Sequence, residues 1–445
     1  MKNNGKIIAV IVSFSFLASV AYSFYFQIAP AVDAAAYDKI AWNLVSGNGY
    51  KEDAGLSYNE DIAIVRVGPG YQFFLAGVYF VFGHNLRIIW IINAILHALS
   101  ALFVYFLSKE VFKENPRSLL GLAAAALVGF SPDLITMSGM LMTETLGIFL
   151  AIFFAYLFFK YINSVKKPLW LILLSALAFG FAVMVRTPAA LMILPVLYYF
   201  CVNNQWGRVL IFAAVLAALF SPWVIRNYKI YNTFIPTNYA FGYDLLVGNH
   251  PGATGELEQY GPAERYIREY SRIDGNKFAL KDALSFISAR PFEFIKITLH
   301  RISIYFSFVR PTGFWFHLEG LSRALTLLTS SLYSLVLFGF GFWGIFRVSS
   351  LAGEDKNRAR MLFWLAFMMP VSVVGIIVET RYRFPVYPFF AVFAALGLWD
   401  IMECKGELRL NAMALFLVWG FFLANGAFDA FSNWGRVAER IKELL

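Results

Sequence analysis

IIWIINAILHALSALFVYFL, residues 88–107, runs for twenty residues without an Asp, Glu, Lys or Arg. A helix of about 20 apolar residues crosses the roughly 30 Å hydrocarbon core of a bilayer. Within that core every backbone N–H and C=O must be satisfied inside the helix itself. Stretches of the same kind recur at 7–27, 118–131, 139–159, 169–185, 188–202, 209–225, 324–346, 361–378, 384–402 and 411–426, giving about eleven crossings. The composition agrees. Of 445 residues, 59% are hydrophobic and only 15% charged, with a mean hydropathy of +0.63, where soluble domains carry about 25% charge. The 47 Phe, 23 Tyr and 11 Trp exclude a disordered chain. Two cysteines, Cys201 and Cys404, exclude a disulfide scaffold and a cysteine-based metal cluster. The reading is an all-α polytopic membrane protein.

The distribution of charge orients it. Lys109, Lys113 and Arg117 share one short loop, and Lys160, Lys166 and Lys167 another. Arg347, Lys356, Arg358 and Arg360 fall in a third, Lys405 and Arg409 in a fourth. Short basic loops mark the cytoplasmic side, and all four lie on the side of the N-terminus. The net charge of +9 is therefore a topology signal, and nucleic acid is not an expected partner. The first span follows Lys2 and Lys6 as a signal peptide would, but its apolar run is about twice a secretory core, so an uncleaved helix is expected. Three segments follow: a transmembrane module over 1–226 with a long outer loop at 28–87, an outer segment over 227–320 with interfacial helices, and C-terminal transmembrane helices over 321–445. The expected setting is a cell (inner or plasma) membrane, with the chemistry on the extracytoplasmic face, in the long loops. Nucleotide-activated donors are absent there, so a transferred group would arrive already linked to lipid.

In the first outer loop, PAVDAAAYDKIAWNLVSGNGY (30–50) places Tyr37, Ile40, Ala41, Leu44 and Val45 on one helical face. An amphipathic surface helix is expected from Asp33, ended by Gly47 and Gly49. Asp33 either caps that helix or faces a site; Asp38 belongs on its solvated side. Farther on, Arg66 precedes a Gly68-Pro69-Gly70 turn that feeds a short apolar helix. Its planar fork suits a lipid phosphate.

Ionisable groups at span ends are costly and point to function. Glu144 lies one turn into its span, Arg186 between two spans, and Glu379, Arg381 and Arg383 in a short outer turn with Tyr382 between the arginines. An internal Glu144–Arg186 ion pair is the structural alternative; an anionic headgroup cradle is the functional one. The segment from Pro222 to Gly261, rich in aromatics, Asn and Gly, suits sugar or headgroup recognition, with a helical pattern over about 262–290. Residues 291–309 carry Lys296, His300 and Arg301 among apolar residues and are expected along the interface. No P-loop, GxGxxG, HExxH or GxSxG motif occurs. Nor is there an internal repeat of the kind that marks transporter halves.

Several of these patterns resemble one family. They are Asp33-x-x-x-Tyr37 with Ala41, Leu44 and Gly47-x-Gly49; Arg66 with Pro69-Gly70-Tyr71; Thr143-Glu144-Thr145; Pro222-Trp223-x-x-Arg226-Asn227-Tyr228; Gly248-Asn249-His250-Pro251-Gly252; and Glu379-x-Arg381-Tyr382-Arg383-x-Pro385-x-Tyr387-Pro388. In order along most of the chain, they look like GT-C membrane glycosyltransferases, and among these the family 39 group of protein mannosyltransferases and aminoarabinose transferases. The resemblance implies a GT-C fold and an inverting transfer from a polyprenyl-phosphate-linked sugar donor to a glycan, lipid or protein acceptor. Asp33 matches the first-loop acid and would be the general base, with Glu144 the second acidic position. Arg66, Arg381 and Arg383, with Tyr382, would hold the donor phosphate. Tyr37, Asn227, Tyr228, Asn249 and His250 are the candidate substrate-loop residues. Ala34 departs from relatives that carry a second acid there. No cofactor is certain: a divalent metal is a possibility the superfamily leaves open, and His250 with Glu379 is the only pair on offer. About twenty residues follow the last span, so a minimal transferase, or one that works with partners, is expected. The competing readings are a lipid-linked glycan flippase, a non-catalytic assembly subunit, and an O-antigen-ligase-like transferase.

Overall fold

The computed structural model describes residues 2–114, 118–309, 317–403 and 408–435. Arg117, Cys404, Lys405 and the side chain of Arg409, all named above, lie outside the described residues. In chain order the helices are α1 (Lys2–Phe26), α2 (Asp33–Val45), α3 (Pro69–Phe82), α4 (Leu86–Val111), α5 (Ser118–Gly129), α6 (Pro132–Ser138), α7 (Thr143–Asn163), α8 (Leu169–Val185) and α9 (Ile193–Val202). They continue with α10 (Trp206–Tyr231), α11 (Phe241–Gly248), α12 (Gly261–Glu269), α13 (Arg272–Ala289), α14 (Pro291–Tyr305), α15 (Gly320–Arg347), α16 (Gly353–Val374), α17 (Tyr387–Glu403) and α18 (Leu408–Ser432).

Each expected crossing falls on a helix. Among the described residues, seven helices are long and apolar enough to cross a membrane by length and composition, or eight if α5 and α6, bent by 53°, form one broken span. The other expected crossings fall on Leu169–Val185 and Thr187–Val202, which are shorter apolar helices, and on α16, whose first turns carry Glu354, Asp355, Lys356 and Arg358. Burial differs along the bundle. α17 is the central helix, closed in by α15 and α5. α10 and α18 leave Leu210, Phe416 and Phe421 exposed, as a lipid-facing surface would.

The outer segments fold largely as expected. α2 starts at Asp33 and stops before Gly47 and Gly49, which take φ of +80° and +82°. The pattern over 262–290 becomes α12 and α13. Two expectations change. α10 runs through residue 226 to Tyr231, so no boundary falls at 226/227. On α14 Phe292, Ile295 and Leu299 are exposed, but Arg301 is fully buried. Its guanidinium is spent on the carbonyls of Gly248, Gly255 and Val374 and on Asn249 Oδ1. A parallel bridge, Glu256 with Val378, ties this loop to the turn before α17. The two outer segments also join each other: Tyr239 N–H donates to Ile64 O at 2.9 Å, and Arg272 Nη2 to Glu60 O at 2.6 Å.

Candidate active site

Asp33 occupies the first helical position of α2, directly after Val32, whose φ of +49° is strained for a β-branched residue. Such strain costs about 1–3 kcal/mol and persists where surrounding structure imposes it. The carboxylate caps nothing. Instead Oδ2 meets Arg381 Nη2 at 2.9 Å and Oδ1 meets Arg66 Nη1 at 3.6 Å. Arg66 arrives because its Gly-Pro-Gly turn lies flat on the end of α8. A Cβ on Gly70 would come within 2.8–2.9 Å of Met184 and Val185, and one on Gly68 would strike Met184 O. Arg66 is held by Glu52 through two parallel hydrogen bonds, Nε to Oε2 at 2.9 Å and Nη2 to Oε1 at 3.1 Å.

Across the site, Arg381 Nε donates to Glu379 Oε2 at 2.6 Å. Burial raises the Glu379 carboxyl, against the pull of Arg381. Glu144, fully buried at the start of α7, pairs with Arg186 Nη1 at 2.7 Å, and both touch Thr143 Oγ1. The expected internal ion pair is therefore present, and it stands beside Asp33. Tyr382 lies with the guanidinium groups of Arg186 and Arg381 each 5.7 Å from its ring centre. Tyr37, one turn past Asp33, is buried edge-on to Tyr71 at 5.7 Å and feels the charges of Asp33, Arg381, Glu144 and Arg186. A narrow cleft lined by Gly147, Ala151, Ala182 and Ala189 leads from Arg186 and Tyr382 in among α7, α8 and α16.

Two members of the cluster carried no signal in the sequence. Glu52 lies in a charged turn that reads as solvated surface. Asp244, on α11, follows Gly242 and Tyr243, a pattern suited to a loop. The residue keeps solvent contact although protein crowds round its carboxyl. That enclosure, with Asp33 nearby, pushes its carboxyl up to about 7.

Five candidates stand elsewhere. Arg383 is fully buried and turned inward, its Nη2 on Ser334 Oγ at 3.2 Å and its Nη1 on Ser307 O. Tyr387 beneath it donates to Asp133 at 3.0 Å. The arginine thus belongs to a polar knot that joins α6, α15 and α17, not to a phosphate cradle. Asn227 is buried and donates to Ile235 O at 3.0 Å, which closes the turn after α10; Tyr228 faces outward from α10. Asn249 donates to Leu245 O at 2.9 Å and to Ile376 O at 3.1 Å, where Gly248 lies against the same Ile376 carbonyl. His250 stacks on Tyr260 at 3.7 Å and pairs with Glu258, not with Glu379. Asp38 is no solvated-face residue either: it accepts from Tyr79 OH at 2.5 Å and pairs with His84 at 2.8 Å. Among the described residues no three His, Cys, Asp or Glu side chains converge in a way that could hold a metal ion. Arginines occupy the space between the carboxylates instead.

The comparisons fit this geometry. Residues 66–225, which include Arg66, Glu144 and Arg186, match the dolichyl-phosphate-mannose-protein mannosyltransferase family model. No curated protein matches the sequence. The apo oligosaccharyltransferase of Archaeoglobus fulgidus aligns over 95% of this chain and 54% of its own, at 14% identity and a TM-score of 0.52. The archaeal oligosaccharyltransferase AglB from Archaeoglobus fulgidus, with an inhibitory peptide and a dolichol-phosphate, aligns over 94% and 55%, at 13% identity and a TM-score of 0.50. ArnT from Cupriavidus metallidurans, bound to undecaprenyl phosphate, aligns over 96% and 63%, at 13% identity and a TM-score of 0.46. This chain thus spans little more than half the length of the archaeal enzymes. Over most of its length the chain thus has the fold of the archaeal oligosaccharyltransferases, and over residues 66–225 it is similar to the mannosyltransferase family.

Proposed function

We propose that this protein transfers a sugar from a polyprenyl-phosphate carrier to an acceptor on the extracytoplasmic face, with inversion at the anomeric carbon. The observation that carries the reading is the meeting of Asp33, Arg66 and Arg381, with Arg186 and Tyr382 at the mouth of the cleft between α7, α8 and α16. That cleft is lined mostly by small apolar residues but holds only about 20 Å³, so a prenyl chain would have to part these helices for its phosphate to lie at the guanidinium groups. A protein of like fold has been solved with a dolichol-phosphate, which supports the same class of donor.

The resting ion pairs define what the chemistry needs. Arg66 and Arg381 are each shared between Asp33 and a second carboxylate, Glu52 or Glu379. A phosphodiester entering the site competes for those donors, and as it takes them the Asp33 carboxylate is released from its ion pairs. The acceptor hydroxyl then attacks the anomeric carbon while the bond from that carbon to the phosphate oxygen breaks. The hydroxyl proton passes to Asp33. The charge gained by the departing phosphate falls to Arg381, Arg66 and the Arg186–Tyr382 pair. Glu144 keeps Arg186 in place and is the positioning acid.

The test is release of polyprenyl phosphate from a labelled polyprenyl-phosphate hexose by the purified protein in nanodiscs, with envelope extract as the acceptor source. Release by wild type and none by Asp33→Asn is expected. Equal release by both would overturn the assignment of the base, and no release across donor sugars would overturn the transferase reading.

A further inference from the structure

A second cavity lies beside the charge cluster. It is a groove of about 630 Å³ between the two outer segments, floored by Trp42 and Asn43 of α2 and walled by the 52–62 loop and Arg272. That volume is in the range of built ligand sites. The walls are held by internal bonds. Buried Asp61 accepts from the backbone N–H groups of Glu52, Asp53 and Ala63 at 2.8–3.1 Å. Lys51 Nζ clasps the carbonyls of Ala54 and Leu56 at 2.9 Å. Arg272 crosses from the second segment to Glu60 O. A loop fastened at three points is preorganised, which spares ordering entropy when a ligand binds.

Trp42 is 42% exposed, with the ring edge backed by His84 at 5.1 Å. An indole face flanked by carboxylates, an ammonium and an amide suits a pyranose: its C–H face stacks on the ring and its hydroxyls bridge the polar rim. The polar lining includes four carboxylates, Glu52, Asp53, Glu60 and Asp61, against Lys39 and Arg272, so a polyanionic glycan would be repelled. Peptide binding by strand addition has no strand edge to use at this groove. The groove also adjoins the reaction centre. Glu52 is their common wall, its carboxylate gripping Arg66, which lies 3.6 Å from Asp33. Trp42 follows Asp33 by nine residues on one helix, about 13 Å along the axis and half a turn round it, so a chain seated on Trp42 reaches Asp33 by passing Glu52.

We infer that this groove is an acceptor subsite for a neutral sugar chain, seating the chain on Trp42 so that its terminal hydroxyl reaches Asp33. The inference rests on the transferase reading above and names the acceptor class as glycan.

Binding is measured without turnover, so the two ideas fail separately. Saturation-transfer NMR would be recorded on the full-length protein in nanodiscs with neutral tri- to pentasaccharides. An anionic oligogalacturonide and a soluble peptide would serve as comparisons. Saturable binding of at least one neutral glycan is expected, weakened at least fivefold by Trp42→Ala and by Asp53→Asn. Asp53 is exposed and makes only a local turn contact, so its variant covers the case in which Trp42→Ala unsettles the fold. Polyprenyl phosphate binding should be unchanged in both. No saturable glycan binding, binding that neither variant alters, or preference for the peptide or the anionic glycan would overturn the inference. Glycan binding with no sugar transfer would keep the groove and sink the transferase reading instead.

Discussion

Asp33→Asn should kill transfer and at the same time tighten the grip on lipid phosphate. The substitution is isosteric, so packing at the start of α2 is kept. What is lost is one negative charge, 2.9 Å from Arg381 and 3.6 Å from Arg66. Both guanidinium groups then face the site less neutralised. A phosphate taking the place of the carboxylate's repulsion sits about 5 Å from where that charge was. The repulsion removed is about 3 kcal/mol at an effective dielectric of 20 and under about 1 kcal/mol in bulk water. With the Asp33 side chain 26% exposed, a value near about 1.4 kcal/mol is reasonable, which is tenfold in affinity. Loss of the general base should lower turnover by about 10²–10⁴-fold. The assays are equilibrium binding of polyprenyl phosphate in nanodiscs, read by thermal shift across a lipid titration, and single-turnover release from the labelled donor. Weaker lipid-phosphate binding in Asp33→Asn would refute the resting ion-pair reasoning. Retained turnover with tighter binding would refute only the assignment of the base.

Arg381→Ala should act the opposite way: lipid phosphate binds more weakly and the melting temperature falls, because Asp33 and Glu379 lose their common partner; unchanged donor affinity would show that the phosphate is held elsewhere. Asp244 should make lipid-phosphate binding depend on pH. Its carboxyl is neutral below about 7 and charged above, so affinity for the anion should fall as pH rises through 7, and Asp244→Asn should flatten that fall. Stability follows the same sign, since a raised carboxyl favours the fold while protonated and that share is lost as pH rises through about 7. Arg383→Met should cost about 3–5 kcal/mol of stability by leaving Asp133 buried without its cation, with donor affinity in the surviving protein intact. A normal melt with weakened lipid-phosphate binding would return Arg383 to the donor site.

The legible part of this protein was what one dimension carries. Twenty-residue apolar runs and the period of α2 are local signals, and they located the apolar helices and α2, while the short basic loops set the expected orientation. Glu144 and Arg381 stood out because ionisable groups at span ends are expensive, Asp33 because it opens the first outer helix and Arg66 because it precedes a Gly-Pro-Gly turn. Apart from the Glu144–Arg186 pair, the partners of those groups were not legible, since the residues at 33, 52, 66 and 381 are brought together only by packing. Arg381 and Arg383 show the limit most plainly. They are two residues apart in one short turn, yet one faces the site and the other a buried knot, because a helical turn of that pitch sends i and i+2 in different directions. Asn227, Asn249 and His250 read as ligand groups in a glycine- and aromatic-rich loop. The fold spends two of them on backbone carbonyls and stacks the third on Tyr260, since a buried polar group must find a partner inside the protein. Composition and periodicity were enough to settle the membrane and the architecture. Which carboxylate holds which arginine was left to the tertiary structure, because charge pairing across hundreds of residues depends on where the helices come to rest.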